Sequence, residues 1–182
     1  LDNRWNSLKN DVYFNYSNDY GTTWQSNDIR LNTSAQGAYS AAAPQISCTQ
    51  NGKVYVIWRD NRNTFYDIFS NYSHDYGKTW RTAATGGDIR LDGGTTTSNF
   101  PKISSDETGD VYAVWTEVLS GTDEDIVFNY STDGGINWNG FSRIDHESSG
   151  SRRSTTPEIS SDESDYVYVV WYDYRNNLSV PD

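Results

Sequence analysis

Residues 17–24 read SNDYGTTW, residues 73–80 read SHDYGKTW and residues 131–138 read STDGGINW. One phrase, Ser-x-Asp-x-Gly-x-Thr-Trp, thus recurs at intervals of 56 and 58 residues and is relaxed in its third copy. Repetition at that period means that one supersecondary unit is used several times along the chain. The rest of the unit repeats as well. DVYFNYS (11–17), DIFSNYS (67–73) and DIVFNYS (125–131) lead into the phrase, and DIRL (28–31, 88–91) or FSRI (141–144) follows it. PQIS (44–47), PKIS (101–104) and PEIS (157–160) each precede, across a short polar turn, VYVIW (54–58), VYAVW (111–115) or VYVVW (167–171).

These runs are β-branched and aromatic, long enough for strands and too short for most helices. The proline of each PxIS step is expected at the first position of its strand, where no ladder donor is needed. The VYVxW runs are apolar almost throughout, which implies burial on both faces. Four strands per unit, arranged around an axis, describe an all-β fold: a β-propeller of four-stranded antiparallel blades. The composition agrees. Aromatic residues make up 15% of the 182 residues while mean hydropathy is -0.80, a combination that suits thin sheets with many polar turns. A net charge of -11 repels phosphate backbones and argues against a nucleic-acid partner. No run of 18 apolar residues offers a membrane span. The polar Asn/Ser/Thr-rich surface suits a secreted or extracytoplasmic protein. Cys48 stands alone and is expected as buried filler. The Asn-x-Ser sites at Asn15, Asn71 and Asn129 arise from the repeat, and these, with Asn32 and Asn177, read as composition rather than glycosylation.

The phase of the repeat predicts an outer half-blade at 1–43, full blades at 44–100 and 101–156, and an inner half-blade at 157–182, three blade-equivalents in all. Three sheets do not readily enclose a channel. A homodimer in which each copy's half-blades complete the other's gives a six-bladed ring with two-fold symmetry; a larger ring of copies and a fragment of a longer propeller are the alternatives.

In the repeated phrase, Asp19, Asp75 and Asp133 can accept backbone N–H groups within the turn. Gly21, Gly77 and Gly135 permit positive φ, Ser17, Ser73 and Ser131 can tie the far end, and Trp24, Trp80 and Trp138 can fold back on the sheet. One pattern serving every blade points to a structural role. The phrase resembles the Asp-box, or bacterial neuraminidase repeat, of sialidases and related propellers, and the PxIS, VYVxW and DIxxxYS elements extend the resemblance over nearly the whole chain. The resemblance implies that the boxes lie on the outer turn between third and fourth strands, away from any active site. Because the repeat also occurs in other glycoside hydrolases, in sugar-binding proteins and in proteins without known catalysis, it implies fold more than activity.

The opposite face collects the loops joining second to third and fourth to first strands. It holds Arg59, Asp60, Arg62, Glu117, Tyr172, Asp173 and Arg175, with Tyr39, Asn99, Phe100, His146, Arg152 and Arg153 nearby, and Asp2, Asn3 and Arg4 as the N-terminal counterpart. Arg59, Arg62, Arg152, Arg153, Asp173 and Arg175 are the candidate substrate-binding residues, although Asp60 with Arg62 and Asp173 with Arg175 read first as pairs bracing a recurring loop. At 116–124, TEVLSGTDE lacks the arginine and carries Glu117 in place of the aspartate, and a repeat that departs from itself is where function can enter. Glu117, Asp60 and Tyr172 are the catalytic candidates, since a glycosidase needs two carboxyls at a controlled separation. The sialidase resemblance implies three arginines, a Tyr–Glu nucleophile and an Asp acid/base. The Arg-Ile-Pro element of that family is absent and none of these roles maps residue by residue. The reading puts a non-catalytic carbohydrate-binding or interaction propeller ahead of a sialidase-like glycoside hydrolase. No cofactor or metal is assigned: Asp123, Glu124 and Asp125 lack calcium-loop spacing.

Overall fold

The computed structural model describes residues 9–120, 123–146 and 153–175. Strand β1 (Tyr13–Phe14) pairs with β2 (Ile29–Arg30). Strands β3 (Ala41–Cys48), β4 (Val54–Asn63), β5 (Phe65–Ser73) and β6 (Ile89–Arg90) form one antiparallel meander. A second comprises β7 (Thr97–Ser105), β8 (Val111–Ser120), β9 (Asp123–Ser131) and β10 (Ser142–Arg143), and β11 (Ser154–Ser161) pairs with β12 (Val167–Asp173). The result is four separate antiparallel sheets in an arrangement that resembles propeller-type folds. Among the described residues, no helix is long and apolar enough to cross a membrane.

The sheets pack face to face. Val12 and Leu31 of the first meet Val56, Trp58 and Phe69 of the second. On the second sheet's other side, Ile57, Ile68 and Leu91 meet Ala113, Trp115 and Val127 of the third. Strands β4 and β8 are therefore buried on both faces, and Trp58 and Trp115 are inaccessible to solvent. Each such side chain contributes roughly 1.5–3 kcal/mol. Strand β12 differs: it alternates, with Tyr168 and Val170 more than half exposed, because among the described residues a sheet covers only one of its faces.

The prolines correct the sequence expectation. Pro44, Pro101 and Pro157 lie inside β3, β7 and β11, at register shifts between Ala42 and Gln45, Asn99 and Lys102, and Thr155 and Glu158. The preceding residues, Ala43, Phe100 and Thr156, have φ of 51, 51 and 55°. A bulge leaves its extra residue out of the ladder, so a missing N–H costs nothing there. Cys48 is a second correction. It is exposed rather than buried, because it and Ile46 lie on the side of β3 facing an open slot beside the first sheet.

Buried asparagines and half-buried serines bridge neighbouring sheets. Asn71 Nδ2 donates to Leu31 O (3.0 Å) and Asn129 Nδ2 to Leu91 O (3.1 Å). Ser47 Oγ meets Ser105 Oγ, and Ser104 Oγ meets Ser161 Oγ, each at 2.8 Å.

Candidate functional site

The three Asp-box turns share one geometry. Ser17, Ser73 and Ser131 donate to Asp19, Asp75 and Asp133 at 2.6, 2.7 and 2.8 Å, and each serine oxygen accepts the N–H of Gly21, Gly77 or Gly135 at 3.0 Å. The glycines have φ of 80, 78 and 79°, a left-handed conformation costly for other residues. Each aspartate also accepts from the backbone and side chain of Thr23, Thr79 or Asn137. The hydrogen bonds from Ser17 and Thr23 lower Asp19 to about 2, and those from Thr79 and Ser73 lower Asp75 likewise to about 2. Trp80 and Trp138 pack against the sheet cores, whereas Trp24, beside the half-sheet β1–β2, is 61% exposed.

At the opposite ends of the strands, most of the expected binding residues are already engaged by other side chains of the fold. Arg62 is held 2.7 Å from both Asp60 and Asp88 and lies over the Phe69 ring at 4.0 Å. Arg59 bonds Asn99 and covers Tyr66, and Arg153 pairs with Glu124 at 2.8 Å. Asp173 pairs with Arg175 at 2.7 Å. Tyr172 projects from the exposed face of β12, and Arg152 lies outside the described residues, as do Asp2, Asn3 and Arg4. Asp60 has its two oxygens bonded to Arg62, so Arg62 rather than Glu117 is its working partner.

Glu117 instead faces Asp125, its direct partner across the β8–β9 ladder. Cross-strand Cβ atoms lie about 4.5–5.5 Å apart. Both side chains line a cavity of about 230 Å³ with Leu119, Val127, Phe141 and Arg143. Glu117 accepts from Thr96, from Ser98 (2.7 Å) and from the indole N–H of Trp115 (3.0 Å). Asp125 is buried, with Arg143 3.1 Å away. Burial, reinforced by Asp145 and further by Asp123 and Glu117, outweighs that arginine and pushes Asp125 up to about 6. Two adjacent carboxyls in unlike environments can divide acid and base roles. Ser98 is also 2.7 Å from Asp92, which burial pushes upward. A hydroxyl carries one proton, so Ser98 lies between the two carboxyls and donates to one of them at a time.

Asp125 belongs to a recurring pair that sequence reasoning missed: Asp11–Arg30 at 3.4 Å, Asp67–Arg90 at 3.0 Å and Asp125–Arg143 at 3.1 Å. The signal was present in the D of each DIxxxYS run and the R of each DIRL or FSRI, but intervening turns of different length hid it. Asp67 also receives the Asn63 amide at 2.9 Å; the aligned residue of the TEVLSG segment is Ser120, which carries no amide.

Among the described residues, one acidic group has ligand atoms within 4.8 Å of one another: Asp106, Asp110 and Asp165. Asp106 already accepts the N–H groups of Thr108, Gly109 and Asp110 and the Tyr112 hydroxyl, so it braces its turn. A larger cavity, about 660 Å³, lies elsewhere, between the two-stranded sheet β1–β2 and the Ile46–Cys48 side of β3. Among the described residues, no acidic side chain lines it.

No protein-family model matches the sequence, and neither does any curated protein. Solved structures do match. A Hadza microbial sialidase, Hz136, superposes with a TM-score of 0.64 at 14% identity over 91% of this chain and 36% of its own. The alpha-L-arabinanase of Penicillium chrysogenum gives 0.57 at 15% identity over 96% and 54%. The NanB sialidase of Streptococcus pneumoniae gives 0.53 at 17% identity over 93% and 25%. The chain thus spans about a quarter to a half of the structures it matches, and its likeness to these glycoside-hydrolase structures is one of fold.

Proposed function

We propose that this chain is the carbohydrate-active part of a glycoside hydrolase, with Glu117 and Asp125 as its working carboxyls. The observation that carries the reading is their cross-strand pairing in one cavity, with Asp125 pushed up to about 6. Asp125 would protonate the departing glycosidic oxygen, and Glu117, oriented by Thr96, Ser98 and Trp115, would stabilise or trap the positive charge at the sugar carbon. This reverses the order reached from sequence, where binding stood ahead of hydrolysis. A binding-only reading draws its support from Arg143, which lies at hydrogen-bonding distance from the acid. A panel of chromogenic glycosides separates the two. Turnover lost in both Glu117→Gln and Asp125→Asn supports hydrolysis; saccharide binding without turnover supports the other.

The same reading takes the four sheets as propeller blades, with half-blades at 1–43 and 157–182 flanking full blades at 44–100 and 101–156. Its partner is a second copy, giving a six-bladed ring in which β12 of one copy pairs with β1 of the other. The apolar slot beside β1 and the smaller one formed by Phe128, Ile144, Val167 and Val169 beside β12 suit each other's missing strands. A solution mass of twice 20.6 kDa by light scattering is the expected result; a single-chain mass would instead favour completion by further blades of a longer protein. An extracytoplasmic location accompanies this reading, on the strength of the polar surface.

A further inference from the structure

Three departures from the repeat meet in the lining of this cavity. In the preceding unit Arg62 runs over Phe69 to Asp88, and Thr33 bonds Asp88 through both its N–H and its hydroxyl, sealing the seam between sheets. In the next unit, aligned on VYVIW and VYAVW and on DIRL and FSRI, the corresponding residues are Leu119, Phe141 and Gly93. An ion pair with its hydroxyl donor has become an aliphatic chain, an aromatic ring and a residue with no side chain. The three changes fit one another sterically. A Cβ on Gly93 would lie 2.8 Å from Phe141 Cζ, so the ring sits where the threonine of the other seam would be. Leu119 and Phe141 are 38% and 51% exposed, apolar groups presented to solvent at the cavity.

The electrostatics of the same cavity are one-sided. Among the described residues, Glu117, Asp125 and Asp145 surround a single guanidinium, Arg143, which is already paired with Asp125 and Asp145. A carboxylated sugar would meet uncompensated negative charge there. A neutral sugar would lay its C–H face on Phe141 and turn its hydroxyls to the acids.

Resting on the glycoside-hydrolase reading above, we infer that the Gly93–Leu119–Phe141 seam is a subsite for the apolar face of a neutral sugar, and that sialosides are excluded from it. This narrows the substrate class away from the sialidases whose fold the chain shares.

The test rebuilds the neighbouring seam. The triple variant Gly93→Thr/Leu119→Arg/Phe141→Asp installs residues that already pack together at 33, 62 and 88, and Phe141→Ala is a milder companion that leaves the space open. Circular dichroism and thermal melting check that each variant is folded. Saturation-transfer NMR and titration calorimetry then use arabinobiose, cellobiose and lactose as neutral probes and 3′-sialyllactose as the acidic one. The expected result is binding of at least one neutral probe, no binding of 3′-sialyllactose, about tenfold weaker binding in Phe141→Ala, and loss of binding in the folded triple variant. Binding of 3′-sialyllactose as tight as that of lactose, with turnover dependent on Glu117, would overturn the neutral-sugar assignment while leaving hydrolysis standing. Unchanged neutral-sugar binding in the triple variant would overturn the location of the subsite. If no probe of either class binds or turns over, the subsite and the hydrolase reading both fall.

Discussion

Replacing the asparagine of the NYS step by alanine, one repeat at a time, separates hydrogen bonding from burial. Asn71 makes four bonds: it donates to Leu31 O and Arg81 O and accepts from the N–H groups of Tyr72 and Arg81. Asn15 also makes four, donating to Gln25 O and the Asp28 carboxylate and accepting from Tyr16 and Gln25. The environments differ. Asn71 is 1% exposed and clamps one sheet to the next, whereas the partners of Asn15 lie on the surface, where water replaces the lost amide. A buried group left without its partner costs about 1–3 kcal/mol, against about 0.5–1.5 kcal/mol for the net loss of an ordinary hydrogen bond. Asn71→Ala strands two carbonyls and is expected to cost about 3–4 kcal/mol; Asn129→Ala strands the single carbonyl of Leu91 and costs about 2 kcal/mol; Asn15→Ala costs about 1 kcal/mol. Urea unfolding followed by tryptophan fluorescence reads all three. Equal losses at Asn15 and Asn71 would refute the reasoning, because bond count rather than desolvation would then set the energy. The same burial keeps Asn71 inaccessible to a glycosyltransferase in the folded state, so the intact protein should carry no glycan there by mass spectrometry.

Acid should unfold the chain partly through its Asp-box turns. Asp19 and Asp75 sit near 2 when folded and near 3.9 when unfolded; their stabilisation is complete above the unfolded value and is lost as pH falls through the folded one. Asp19→Asn/Asp75→Asn should therefore flatten the fall in melting temperature between about pH 4 and pH 2. Asp125 has the opposite sign: raised to about 6, it weakens the fold as pH climbs from about 4 to 6, and Asp125→Asn should remove that slope. If Asp125 is the proton donor, kcat/KM on a glycoside should decline as pH rises through about 6, a limb absent from the residual rate of Asp125→Asn. Cys48, exposed in the single chain and lining the slot beside β1, should react readily with a thiol reagent in dilute solution and slowly at concentrations where two copies associate. A rate independent of protein concentration would count against self-completion.

The sequence discloses its sheets because the repeat supplies three readings of each strand, and an apolar run such as VYVIW must be covered on both sides. The turn chemistry is equally plain: Ser, Asp and Gly at fixed offsets leave few other conformations for residues 73–77. The bulges are not legible. A proline inside β3 is tolerated only because Ala43 turns left-handed beside it, and nothing in PQIS distinguishes a strand start from a bulge. Cys48 departs from expectation for a related reason, since burial on an inner strand depends on whether the neighbouring sheet is present. The expected pair Asp60–Glu117 takes equivalent positions in successive repeats for opposing ones. In the fold the partner of each comes from its own sheet, Asp67 across from Asp60 and Asp125 across from Glu117.

That register explains why one unit can carry chemistry while its neighbour only carries load. Both sheets place two acids side by side at the same level of the second and third strands, an arrangement that is unfavourable unless something neutralises it. In the second sheet two arginines and an amide do so: Arg62 on Asp60, and Arg90 with Asn63 on Asp67. In the third sheet, among the described residues, only Arg143 remains, and uncharged donors from Thr96, Ser98 and Trp115 take over at Glu117. Removing Arg62's counterpart takes a guanidinium from Glu117, whose charge then adds to the burial and the Asp145 charge that raise Asp125, so the shape of the cavity and part of that altered acidity share an origin. Leu119→Arg alone should accordingly lower the pKa of Asp125 from about 6 toward its ordinary value as well as narrow the cavity. Titrating the Asp125 carboxyl carbon by NMR in that variant measures the first effect without reference to any substrate. An Asp125 still titrating near 6, with the introduced guanidinium ordered beside it, would mean that burial alone holds it up, and that charge and shape at this seam were altered independently.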